Sequence, residues 1–348
     1  MKECKVNSEF LSRENAKSMA NPIFVVGAPR TGTTLVRNIL NRHPDVYLYN
    51  EIHFCEGVYD RLAGHRELDI ELLDRAIDLL LERAREWLDC GEARRNHRPR
   101  LRQTVLEKGP SCANLMETFL EMDARHHGKS IWGDNSPQDI LYLELLKSWF
   151  PGARFVCLAR DPRAYLASYK SYVRRGIPTY RDRYNPLPNS LLWRTYMAAQ
   201  ERAITSSFGK DVFLLTYESL VTAPEEQVEA LCRFLGLAFD RSMLAVESSN
   251  TSYAHFRAEP ERGIKTDSLE RWRNELNATE IWLVERICAH QMQRLGYRLE
   301  GRFPGLVGIP MLLKLAGWLP GRLFNLLFRT GKPLTRGKLQ RVLSHLRS

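Results

Sequence analysis

From Gly301 to Ser348 the chain has no aspartate or glutamate, so all 41 acidic residues precede that segment. Nine of the 51 basic residues fall inside it: Arg302, Lys314, Arg322, Arg329, Lys332, Arg336, Lys338, Arg341 and Arg347. Nine of the ten net positive charges therefore sit in the tail. A nearly neutral body argues against a nucleic-acid surface spread over the whole chain. Cysteine is sparse and unpatterned. The seven (Cys4, Cys55, Cys90, Cys112, Cys157, Cys232, Cys288) are odd in number and contain no C-x-x-C. That excludes a disulfide framework or a zinc cluster and fits a reducing compartment. No apolar run opens the chain, since Met1 to Asn21 is polar, so no signal peptide or anchor is expected there. Cytoplasmic placement follows as the expectation, with membrane association left open by the tail.

One loop is defined partly by what it lacks. Ile23 to Val26 is an apolar strand, followed by Gly27-Ala28-Pro29-Arg30-Thr31-Gly32-Thr33-Thr34 and a helical Leu-Val-Arg-Asn-Ile-Leu. Strand, glycine-rich turn and helix N-terminus form a site for a phosphate-like anion, because the first-turn N–H groups are unpaired and the helix dipole favours negative charge. Gly32 permits close approach, Thr31, Thr33 and Thr34 add hydroxyls, and Arg30 adds a planar fork of donors. The Gly-Lys-Ser/Thr ending of nucleotide-triphosphate loops, which holds magnesium, is missing. An anion site that works without a metal is expected.

A second strand, Arg154 to Ala159, runs into Arg160-Asp161-Pro162-Arg163 and a helix from Ala164 to Tyr172. Asp161 suits an N-cap and Pro162 a helix start. Arg160 and Ser168, the latter one to two turns into the helix, can converge on a second phosphate. A third strand from Val212 ends at Tyr217-Glu218. Gly263-Ile264-Lys265-Thr266, ahead of Trp272, offers a late basic loop in which Lys265, Arg262 and Arg271 are the candidates, Lys265 preferred.

These segments, in this order, resemble the sulfotransferases that use 3′-phosphoadenosine 5′-phosphosulfate (PAPS). The resemblance covers about Pro22 to Tyr297, and the first two motifs carry it. It implies an α/β fold, a parallel β-sheet flanked by helices as in P-loop NTPases. It implies that the Arg30 loop holds the phosphosulfate and that Arg160 and Ser168 hold the 3′-phosphate. Tyr217 would lie near the adenine or a phosphate, and Lys265 would close over the nucleotide. For the base, Glu51 and His53 stand two apart in Tyr-Leu-Tyr-Asn-Glu-Ile-His-Phe and share a face if that piece is extended. His43-Pro44-Asp45-Val46 with Glu51 is similar to protein-tyrosine sulfotransferases, where the matching glutamate is the base. Trp132-Gly133-Asp134-Asn135-Ser136-Pro137 departs from the family's Trp-Gly-Asp-Lys-Thr-Pro at Asn135, which donates a hydrogen bond but no charge. Lys108 or Lys129 could replace that cation.

The organisation read from the sequence is a polar lead over 1–20, one domain over 21–300, and a basic amphipathic appendix over 301–348. A helical insertion occupies about 60–128. Within it Ile70 to Leu88 shows helical spacing and Thr104 to Met122 a further helix, with Arg94 to Arg102 as a solvated loop between them. In the appendix, Pro310 to Leu319 and Pro320 to Arg329 suit short helices on an anionic membrane surface, with packing on the domain or a homodimer as alternatives. Tyr47, Tyr49 and Phe54 are expected to shape the pocket of a small-molecule, glycan, lipid or tyrosyl acceptor. Two other readings stay open: a PAPS-binding protein with weak or no catalysis, and another P-loop-type phosphate-transferring enzyme.

Overall fold

The structure, a computed structural model, describes residues 21–84, 91–174, 184–246, 263–264 and 266–310. Lys265, Arg262, the 1–20 lead and the appendix from 311 onward lie outside the described residues.

Five strands form one sheet: β1 (Ile23–Gly27), β2 (Val46–Asn50), β3 (Ile131–Asn135), β4 (Arg154–Ala159) and β5 (Val212–Thr216). Their order is β2-β3-β1-β4-β5, and every pairing is parallel. This is the parallel, helix-flanked α/β sheet that the motifs imply. The helices are α1 (Thr33–Asn41), α2 (Ile70–Arg83), α3 (Gly91–Lys108), α4 (Cys112–His126), α5 (Leu143–Trp149) and α6 (Pro162–Arg174). They continue with α7 (Pro186–Thr205), α8 (Tyr217–Thr222), α9 (Pro224–Leu235), α10 (Trp272–Glu275) and α11 (Ala278–Arg294). Proline opens α6, α7 and α9, where its missing N–H has no helical partner to lose.

β1 is central and buried along its whole length, as a strand covered on both faces must be. Its alternation divides the core. Phe24 and Val26 enter the larger cluster with Trp132, Phe150 and Phe155, while Ile23 and Val25 enter a smaller one with Val36, Ile39 and Leu40 of α1. Each such side chain contributes about 1.5–3 kcal/mol on burial. The sheet's carboxyl edge then presents the turns after β1, β2, β3 and β4 side by side, which is where ligands bind in open parallel sheets.

The insertion departs from its sequence reading in two places. Arg94 to Arg102 is not a loop, because it belongs to α3, which keeps Pro99 inside it. Arg98 and Arg102 pair with Asp74 and Asp78 of α2, and Leu101 and Val105 are buried, so tertiary contacts outweigh the proline. Thr104 to Met122 is not one helix either. Gly109 sits at φ 100, and Ser111 then caps α4 by accepting from Asn114 N.

Candidate functional site

The turn between β1 and α1 is built for close approach. Gly32 caps α1 in the left-handed region (φ 99), and an added Cβ would stand 2.6 Å from the Tyr217 ring. Arg30 is also left-handed (φ 74), a strained conformation for a residue with a side chain. Intrahelical bonding begins with Leu35 N and Val36 N on the Gly32 carbonyl, so the earlier N–H groups of Gly32, Thr33 and Thr34 open the helix. The Thr31 hydroxyl donates to the Ala28 carbonyl at 2.7 Å, which makes it a strut of the turn rather than a ligand donor.

Arg30 Nε donates to Ser168 Oγ at 3.2 Å, across 138 residues of sequence. Arg160 Nη1 donates to the Arg30 carbonyl at 3.1 Å, and its Nη2 donates to the Ser268 carbonyl at 3.3 Å. The guanidinium lies 4.1 Å over the Tyr217 ring, whose hydroxyl meets Ser268 Oγ at 2.8 Å. Arg30, Arg160, Ser168 and Tyr217 are thus brought together. Arg160 Nε finds no acceptor among the described residues. Burial pushes the Arg160 pKa down; Tyr217 and the Glu218 carboxylate oppose that push, and the Arg271 and Arg30 charges add to it. Two guanidinium groups so close, one with an unsatisfied Nε, favour a further anion beside them. Asp161 accepts from Arg163 N at 2.8 Å, in keeping with a cap at the start of α6. Arg163 serves the fold: it pairs with Asp161 and Glu285 and stacks on Trp272.

The base candidates meet by a different route from the one their spacing suggests. β2 ends at Asn50, and Glu51 (φ 58) and His53 (φ 48) are both left-handed, not extended. His53 Nε2 still lies 3.5 Å from Glu51 Oε2, with the Glu51 side chain 45% exposed and that of His53 22%. Burial pulls the His53 pKa down. The Glu51 hydrogen bond and the charges of Asp139, Glu51 and Asp134 outweigh it, and the net direction is up. Arg37, half-buried on α1, donates to Asn38 Oδ1 at 2.7 Å; burial lowers its pKa, and the charges of Tyr47, Glu51 and Asp134 oppose that. Asn135 is fully buried and donates to Asn50 Oδ1 at 3.5 Å.

Neither lysine suggested as a substitute cation reaches this point. Lys108 pairs with Glu117 and Glu121, and Lys129 donates to the His43 carbonyl. The aromatic candidates also divide. Phe54 is fully buried and edge-on to Trp149, and Tyr49 is 5% exposed against Phe119, so both belong to the core. Tyr47 remains half-buried, stacked 4.0 Å from the His127 ring.

Beneath the dyad lies a buried pair of carboxyls. Burial raises Asp134 to about 6 and Asp139 to about 8, and for Asp139 the Asp134 charge adds to the rise. A carboxyl whose folded pKa lies above its ordinary 3.8 holds a proton that the unfolded chain releases, so stability falls as pH climbs from about 4 toward 8. Asp139→Asn, neutral at every pH, removes the Asp139 share of that slope. Its melting temperature relative to the parent rises more at pH 8 than at pH 5 in thermal unfolding. An equal shift at both values would contradict the buried-acid assignment.

Sequence reasoning missed Arg37, Ser268, Asp134 and Asp139. Arg37 was findable, four residues after Thr33 and so on its face of α1. Ser268 carries no motif of its own.

A profile described as the sulfotransferase family matches residues 22–241. Protein-tyrosine sulfotransferase 1 of Danio rerio is 24% identical over 296 residues, covering 79% of this chain and 72% of that protein. The nodulation protein NoeE of Sinorhizobium fredii is 24% identical over 299 residues, 79% of this chain and 65% of that one. An uncharacterized Aquifex aeolicus protein is 25% identical over 258 residues, 72% of this chain but only 30% of its own length. Among solved structures, the sulfotransferase domain from the curacin biosynthetic pathway superposes with a TM-score of 0.55 at 16% identity, covering 81% of this chain and 99% of that one. The sulfotransferase domain of the Synechococcus PCC 7002 olefin synthase gives 0.54 at 19%, covering 81% and 98%. With the profile spanning both basic turns and the parallel sheet shared with these domains, the chain belongs to the sulfotransferase family.

Proposed function

We propose that the chain transfers a sulfuryl group from PAPS to a hydroxyl or amine of an acceptor, with Glu51 as the base. The observation that carries this is the convergence of Arg30, Arg160 and Ser168 at the carboxyl edge of the sheet. Two buried or half-buried guanidinium groups and an open helix start fit a doubly phosphorylated adenosine. The unsatisfied Arg160 Nε and the close approach at Gly32 suit the same ligand. In this reading the turn from Arg30 to Thr34 holds the phosphosulfate, and Arg160 with Ser168 holds the 3′-phosphate.

Glu51 takes the acceptor's proton as the acceptor oxygen or nitrogen bonds to sulfur. The bond from sulfur to the 5′-phosphate oxygen breaks, and its electrons stay on the departing adenosine 3′,5′-bisphosphate. Arg30 and the N–H groups of the turn stabilise that charge, and positioning with electrostatics supplies the rate. Arg37 on α1, within electrostatic range of Glu51, gives the acceptor side a cation.

The full chain incubated with sulfur-labelled PAPS tests this against phenols, sugars, hydroxylated lipids and tyrosyl peptides. Label transfer with stoichiometric adenosine 3′,5′-bisphosphate release, unaffected by EDTA, is expected. Absence of sulfur-label transfer together with bisphosphate binding that collapses with EDTA would favour the metal-dependent phosphate-transferring alternative. A second reading, a PAPS-binding protein with little catalysis, draws on one observation: Asn135 is turned into β2, and Lys108 and Lys129 are engaged elsewhere. Tight binding of the bisphosphate without transfer to any acceptor would favour it.

Among the described residues no helix is long and apolar enough to cross a membrane. We place the enzyme in the cytoplasm, with the acid-free stretch 301–348 on an anionic membrane surface. Cosedimentation with acidic vesicles tests that placement.

A further inference from the structure

Left-handed backbone at a glutamate and a histidine, two residues apart, is costly, on the order of 1–2 kcal/mol each, and persists only where neighbours over-determine it. Here the neighbours are specific. Glu51 N donates to the Asn135 carbonyl at 3.2 Å, Ile52 N to Asp134 Oδ1 at 3.3 Å, and His53 N to Ser136 Oγ at 2.8 Å. Three consecutive N–H groups are therefore taken by three consecutive residues at the tip of β3. From the other side, Arg83 of α2 donates its Nε to the Ile52 carbonyl at 2.8 Å. Gly57 makes that reach possible, because a Cβ there would stand 2.3 Å from Arg83 Nε. Asp134, Asn135 and Ser136 are all buried, at 1% exposure or less, so water does not compete for these bonds.

We propose that the tip of β3, together with Arg83, is a clamp that positions the Glu51–His53 dyad for proton removal. Asp134, Ser136 and Arg83 are positioning residues, and none of them touches the acceptor. The inference deepens the assignment of Glu51 as base and rests on it. It also gives the Asp134-Asn135-Ser136 run a use that needs no lysine: backbone and short side chains hold the base, and Asn135 acts through its carbonyl.

The test uses the isotopically labelled full chain without nucleotide. The groups facing the His53 ring are Glu51, Asp134 and Asp139, with Glu56 and Arg83 beside Asp139, and Arg37 beside Glu51 and Asp134. In the parent, the Ile52 and His53 amides exchange slowly and the His53 imidazole titrates above 6.5. Ser136→Ala removes one acceptor and no charge. Its His53 amide exchanges about fivefold faster or more. The imidazole midpoint moves back toward 6.5 as the ring leaves Glu51, while the melting temperature stays within a few degrees. Fast exchange of both amides in the parent overturns the clamp without any variant. An unmoved His53 midpoint in Ser136→Ala overturns it too. Turnover retained by Glu51→Gln would sink the base assignment and this inference together. An inactive Glu51→Gln beside an unchanged Ser136→Ala sinks the clamp alone.

Discussion

Glu51→Gln lowers turnover by about 10²- to 10⁴-fold while affinity for adenosine 3′,5′-bisphosphate stays within about twofold. The substitution keeps the size and the hydrogen-bonding oxygen of the side chain but removes the basic lone pair. Glu51 follows β2 and belongs to a different turn from Arg30, so the nucleotide contacts of Arg30, Arg160 and Ser168 stay in place. His53 cannot take over readily. Its ring is held 3.5 Å from Glu51, and its backbone N–H is tied to Ser136 Oγ at 2.8 Å, so it is positioned as a partner of Glu51. Steady-state kinetics with the best acceptor from the labelled-PAPS screen, paired with calorimetry of the bisphosphate, separates the two effects. A fully active Glu51→Gln would move the base to another group, and lost nucleotide affinity would make Glu51 part of the binding site instead.

Arg160→Ala weakens binding of the bisphosphate by about a hundredfold or more. The size of the effect follows from burial. Arg160 is 7% exposed, stacked on Tyr217, and shares its Nη groups between the Arg30 and Ser268 carbonyls. A charge held this way stays where it is whether or not a ligand is present, so its bond to a phosphate needs little reorganisation. Truncation also removes the link between the two basic turns, and the Arg30 carbonyl loses a donor. Arg30→Ala acts at the other phosphate and lowers affinity as well. Because both residues face one ligand, the double variant should cost less than the sum of the single losses. Unchanged affinity in Arg160→Ala, with the protein folded, would mean that the guanidinium serves only the fold, as Arg163 does.

How far these two sites could be read in advance differs between them. Both cofactor turns are local: an apolar strand, a few turn residues and a helix start fix the position of Arg30 and Arg160 relative to their own strands. Parallel pairing of β1 with β4 then sets the turns side by side, so sequence order alone suffices to bring Ser168 to Arg30. The Glu51–His53 dyad depends on longer reach. Alternation along a strand anticipated the right neighbours for the wrong reason, since β2 stops at Asn50 and the left-handed turns exist only because β3 and Arg83 hold them. No local propensity predicts a left-handed glutamate. α3 shows the same limit: Pro99 reads as a break, and ion pairs from Arg98 and Arg102 to α2 override it. Tyr49 and Phe54, expected in the acceptor pocket, are claimed for the core by the packing of α4 and α5 against the sheet.

The claim on which the account rests is that one nucleotide spans both basic turns. A crystal of the full chain grown with adenosine 3′,5′-bisphosphate tests it most directly. The account predicts density for one phosphate at the Arg30–Thr34 turn and for the other within hydrogen-bond reach of Arg160 and Ser168. A nucleotide ordered elsewhere on the surface, with both guanidinium groups keeping only their protein partners, would contradict it.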